Sequence, residues 1–175
     1  YSEVLLQREA DLLKAGKTAE IRSLKARVTR CLLMTGQFQK AVEMYEAVTR
    51  DDPGMRDGSS WEELSDCYME QARTMPPGGQ RSTLIKQADK TYSTLASMMM
   101  QSNTYNEHTW RLLYKHAQAL FEVDPDQLHS FFTSMKARGY APKWDSDDKG
   151  VSRWGFQSKF EEIRTQLEQK LPGKK

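Results

Sequence analysis

At 175 residues, 38% of them hydrophobic, the chain is long enough for a well-buried domain and has the make-up of an ordinary globular protein, not of a disordered one. Its 26 basic and 24 acidic residues leave a net charge of +2, which gives no general pull toward nucleic acid. No apolar run approaches the roughly 20 residues of a membrane-spanning helix, and no apolar leader core precedes a small-residue cleavage site. Charge is distributed unevenly, with 9 basic against 6 acidic residues in 1–50, 5 against 8 in 51–100, and 12 against 10 in the remainder.

Apolar residues recur at helical spacing almost throughout, and no sustained alternation argues for a buried strand, so the expectation is an all-α protein. A first helix is expected over about residues 2–15, with Leu5, Leu6, Leu12 and Leu13 on its buried side and Gly16 as its stop. The next, about 19–35, carries Ile21, Leu24, Val28, Cys31 and Leu32 as an apolar stripe and ends at Gly36. Its partner, about 37–50, offers Phe38, Ala41, Tyr45 and Val48 at the spacing that packs one face, and Asp51-Asp52-Pro53-Gly54 terminates it.

Ser59 or Ser60 is expected to cap a helix carrying Trp61, Leu64, Cys67, Tyr68 and Ala72, which stops before Met75-Pro76-Pro77-Gly78-Gly79. A helix over about 82–100 follows, with Ala88, Tyr92 and Leu95 repeating the separation of Ala41 and Tyr45. Trp110, Leu113 and Ala117 mark a further helix, and Asp124-Pro125 caps and opens the one after it, with Leu128, Phe132 and Met135 inside and Gly139 and Pro142 beyond. Past a polar loop, a helix over about 152–170 presents Phe156, Phe160, Ile163 and Leu167 on one face and charges on the other, as the end of a stack requires.

The run Gly36, Phe38, Ala41, Tyr45 and Pro53, followed by Trp61, Leu64 and Tyr68, resembles the tetratricopeptide repeat, in which Trp, Leu and Tyr mark the first helix and Ala, an aromatic and Pro the second. The likeness is closest over 22–54, and departs at Thr29, where a small residue is usual, and at Leu32, where Tyr is usual. Ala41 to Ala88 spans 47 positions against about 34 in a standard repeat, and most of the excess falls around Pro76-Pro77-Gly78-Gly79. HEAT-type repeats of about 40–47 residues are the alternative. The resemblance implies a right-handed α-solenoid of stacked antiparallel helix pairs forming a single domain over 1–175. Residues 1–16 would be the second helix of a truncated repeat, 19–54 a repeat, and 59–100 a repeat with its long loop at 74–81. A degenerate repeat would follow at 107–142 and a capping helix at 151–171. A chain opening at Tyr1 in this way is expected to be a segment of a longer protein.

The resemblance also implies a concave groove lined by first helices. Carried over residue by residue, it gives Arg30, Leu33 and Met34 from the first pair, Glu62, Asp66, Met69 and Glu70 from the second, and His108, Arg111, Lys115 and Gln118 from the third. The Asn and Lys residues with which chaperone-binding members clamp a carboxylate are absent. The expected function is a non-catalytic scaffold that binds a peptide or partner protein through this groove. The alternatives are a structural C-terminal segment of a longer solenoid in a multi-subunit assembly, and an RNA-binding helical repeat suggested by Ser134-Met135-Lys136-Ala137-Arg138-Gly139-Tyr140-Ala141-Pro142 alone.

Candidate chemistry is sparse. His108 and His116 lie two helical turns apart with no acidic or Cys ligand at tight spacing, and His129 is read with them as structural. Gly78-Gly79-Gln80-Arg81-Ser82-Thr83 could meet an anion at a helix start but lacks the order of a phosphate loop. Asp145, Asp147 and Asp148 lack the full spacing of a calcium loop. Met98-Met99-Met100 beside Tyr105 reads as packing, or as a contact for an irregular partner. Cys31 and Cys67 fall in equivalent slots of adjacent units, which at a helix-packing distance of about 8–10 Å lie beyond disulfide reach. As two buried free thiols they point toward a reducing, cytoplasmic setting. No catalytic residue, metal ligand or cofactor is assigned.

Overall fold

The structure, a computed structural model, describes residues 2–50, 54–137 and 154–171. Eight α-helices account for nearly all of them: α1 (Ser2–Lys14), α2 (Thr18–Met34), α3 (Phe38–Thr49), α4 (Gly58–Arg73), α5 (Gly79–Gln101), α6 (Glu107–Val123), α7 (Pro125–Ala137) and α8 (Gln157–Lys170). The described residues are all-α, and within each part of the chain neighbouring helices pack on one another. The chain divides into two compact units, Tyr1–Gln71 and Ala72–Lys175.

Helix ends follow from local chemistry. At the end of α1, Gly16 takes φ +66° while its N–H donates to the Leu13 carbonyl and the Lys17 N–H to that of Leu12. The end of α2 repeats this with Gly36 at φ +72°, its N–H on Leu33 and that of Gln37 on Leu32. The end of α5 repeats it again with Asn103 at φ +51°, bonding Met100, while Thr104 bonds Met99. All three are Schellman terminations, in which a left-handed residue lets the chain turn back to satisfy the last carbonyls. At the start of α7, Asp124 Oδ1 accepts from the Gln127 N–H at 2.9 Å, ahead of Pro125. Asn106 caps α6 in the same way, through the Thr109 N–H at 3.0 Å.

Three helix starts differ from the sequence expectation. Asp57, not Ser59 or Ser60, caps α4: its carboxylate accepts from the Ser60 N–H at 3.4 Å and from the Ser60 hydroxyl at 2.8 Å. A serine three residues inside the helix is thus the donor, not the cap. Helix α5 begins at Gly79 instead of about 82, because the Ser82 N–H already reaches the Gly78 carbonyl at 3.0 Å. Helix α8 begins at Gln157 instead of about 152, after a turn at Gly155 with φ +71°. The helix-end signals at Asp51-Asp52-Pro53, Gly139 and Pro142, the Asp145-Asp147-Asp148 cluster and most of the 134–142 segment lie outside the described residues.

In the first unit α2 packs on α1 and α3, burying Leu12, Ile21, Ala41, Val42 and Tyr45. Thr29, at the position where a small residue is usual, is fully buried, and its hydroxyl turns back onto the Lys25 carbonyl at 2.9 Å. Cys31, by contrast, is exposed, which corrects the expectation of a buried thiol there: the packed face of α2 runs through Ile21 and Thr29 and leaves position 31 outside. Cys67 is buried, and both cysteines are free thiols.

In the second unit α6 is the central element, with α5, α7 and α8 packed around it. Ala88, Tyr92, Trp110, Leu112, Leu113, Ala117, Leu120 and Leu128 are almost wholly buried. The aromatic rings meet largely edge to face, the arrangement their quadrupoles prefer: Trp110 on Phe160 at 6.4 Å, Tyr114 on Phe160 at 5.8 Å and Phe132 on Phe160 at 6.4 Å between centroids. No helix among the described residues is long and apolar enough to cross a membrane.

Candidate functional site

Seven of the eleven groove positions expected from sequence lie in the first unit. On α2, Arg30, Leu33 and Met34 stand at i, i+3 and i+4 and so share a face. Met34 is 83% exposed, Arg30 is exposed and Leu33 is half-buried. The Arg30 guanidinium lies 3.7 Å from Glu63 Oε1, tying this edge of α2 to the acidic side of α4. The contact is largely solvated and adds orientation more than stability.

On α4 the expected residues split. Asp66 and Glu70 are half-buried, whereas Glu62 and Met69 are each only 7% exposed and face the packing instead of open solvent. Beside them Tyr68 donates its hydroxyl hydrogen to Glu46 Oε1 at 2.8 Å, and Gln71 Nε2 donates to Gln39 Oε1 at 2.6 Å, fixing α4 to α3. The negative field of α4 is visible in its own thiol. Burial first, and then the charges of Asp66, Glu63 and Glu70, push the Cys67 thiol up to about 12. Tyr68 is likewise raised, by burial and then by its bond to Glu46 and that carboxylate's charge. A thiol held protonated is a poor nucleophile at neutral pH, so Cys67 is a packing residue.

The other four positions lie in the second unit on α6. Arg111 is exposed, while His108, Lys115 and Gln118 are half-buried. Lys115 Nζ stands 5.5 Å from the centroid of the Tyr92 ring, a cation–π contact that steadies a long side chain.

Elsewhere in this unit the structure joins residues that sequence spacing did not connect. His116 is buried, with Nδ1 2.6 Å from Asp89 Oδ1 and its ring edge-on to Phe131 at 5.0 Å. Asp89 is 27 residues upstream on another helix, so only the fold pairs them. Arg81, within the glycine-led segment weighed for anion binding, is already engaged: its Nε donates to the Ala72 carbonyl at 3.2 Å and its guanidinium pairs with Glu122. Of the Met98-Met99-Met100 run, Met98 is exposed, and the sulfur of Met99 accepts from the Thr109 hydroxyl at 3.7 Å. No group of three or more His, Cys, Asp or Glu among the described residues could hold a metal ion. No family model, curated protein or solved structure matches the chain.

Proposed function

We propose that the chain is a non-catalytic protein-interaction scaffold of the tetratricopeptide kind, a right-handed α-solenoid that takes a peptide or partner protein through the faces carrying the expected groove residues. The observation that carries this reading is the end of α2. Met34 is 83% exposed beside half-buried Leu33, on a helix whose opposite side buries Ile21 and Thr29. A flexible thioether left in water next to an arginine and an acidic neighbour supplies an apolar anchor with a polar rim, the make-up of a contact hot spot. The acidic residues of α4 would then set register and partner choice more than raw affinity.

A second reading, a structural segment of a longer solenoid, is favoured by Leu13, which α1 leaves 59% exposed. One experiment separates the two. A photo-crosslinking residue is placed at Met34, at Leu13 and, as a control, at exposed Glu43 in the full-length protein in its native lysate. The scaffold reading expects a discrete intermolecular product from position 34 that is lost when Arg30→Glu is added. The structural reading expects an intrachain product from position 13. If position 34 crosslinks no more than position 43, the scaffold reading of this edge is wrong.

A further inference from the structure

The fold treats the methionines of this chain unequally. Among those whose side chains are described, Met69 is 7% exposed within the packing of α4, whereas Met44, Met55, Met75, Met99 and Met100 are half-buried. Met98 is 43% exposed and Met34 83%. Met34 is thus the thioether most open to a reagent in water.

Position decides what oxidation of each would do. A thioether that takes up oxygen becomes a polar, chiral sulfoxide, which breaks the packing of a core. At Met69 that would be damage. Met34 is the last residue of α2, just ahead of the left-handed turn at Gly36, and a side chain so exposed supports little of the fold. There the same change alters a surface and spares the helix.

We propose that Met34 is a reversible oxidation site, converted to the sulfoxide by a hydroperoxide such as hydrogen peroxide, and that conversion switches off the apolar anchor at the end of α2. The inference rests on the scaffold reading of that edge. The sulfur gives two electrons to the peroxide and takes one of its oxygens as S=O, and the other oxygen leaves as water. Sulfoxide reductases reverse the step, one enzyme for each epimer, and the exposure of Met34 gives them access. Burying a methionine side chain in a contact strengthens binding about tenfold or more, and the sulfoxide forfeits that gain.

The test treats the full chain with dilute hydrogen peroxide and follows its methionine peptides by mass spectrometry. Met34 should convert ahead of Met98, while Met69 stays reduced until the chain unfolds. Conversion of Met98 or Met69 ahead of Met34 would overturn the site. For the consequence, a photo-crosslinking residue replaces Cys31, which is exposed one turn before Met34 and whose thiol would otherwise consume peroxide. The oxidised chain, freed of peroxide, is then illuminated in native lysate. Oxidation should cut the intermolecular product about tenfold, and the two reductases should restore it. Met34→Leu, treated identically, should keep the product, which separates Met34 from every other oxidised position. Selective conversion with an unchanged product would overturn the switch and leave the scaffold reading standing. No product from the reduced chain would remove both. Circular dichroism should be the same before and after oxidation, and a loss of helix would make Met34 a structural residue and sink the proposal.

Discussion

Burial and three carboxylates hold the Cys67 thiol protonated, and this has a calculable sign. An unfolded thiol titrates near 9.0, whereas in the fold the value is about 12. Between those values the unfolded chain has lost a proton that the folded chain keeps, so stability is full below pH 9 and falls as pH rises toward 12. Tyr68, also raised above its ordinary 10.0, adds to the loss in the same direction. Urea midpoints should drop between pH 8 and pH 10.5, and Cys67→Ala should flatten part of that slope whatever its baseline stability. In the native protein a thiol-specific reagent at neutral pH should label exposed Cys31 and spare Cys67 until the chain unfolds. The difference between the two cysteines was not legible in sequence, where both sat on an apparent apolar stripe. Helical periodicity places a residue within a sector, and a sector edge one residue wide decides between core and solvent.

At the scale of elements, signals that act through the backbone were the most legible. Gly16 and Gly36 ended helices where expected, and Asp124-Pro125 opened α7, because a left-handed φ or a missing N–H constrains the chain whatever surrounds it. Side-chain caps were less so. Asp57, Ser59 and Ser60 are all competent, and which one caps depends on where the first turn is wound. Replacing Asp57 with Ala should lower stability by about 1 kcal/mol and Ser59→Ala by less than about 0.5 kcal/mol, measured by thermal unfolding. Pairings between helices were least legible. Asp89 with His116 and Lys170 with the Phe121 carbonyl bridge 27 and 49 residues respectively, and no local pattern announces them. For the candidate site the same limit appears at α4. The repeat resemblance implied a groove face holding Glu62 and Met69 together with Asp66 and Glu70, and the structure buries the first two.

On the scale of the whole molecule the two units are unequally filled. Of the ten largest fully buried side chains among the described residues, only Thr29 belongs to Tyr1–Gln71, and the others, Trp110, Tyr92 and Phe160 foremost, belong to Ala72–Lys175. Aromatic burial dominates core energetics, so amide hydrogen exchange should show slower opening in α5 and α6 than in α2 and α3. Equal protection in both would mean that the units unfold as one. The three Schellman corners have a different consequence, for how the surface responds to substitution. Gly16, Gly36 and Asn103 are all exposed, and a side chain added at Gly16 would meet nothing within 4 Å, so space is available where backbone conformation is not. Mutational intolerance concentrated at these solvent-facing positions would draw a false binding site on the map of the protein, marking where the chain turns and not where anything docks.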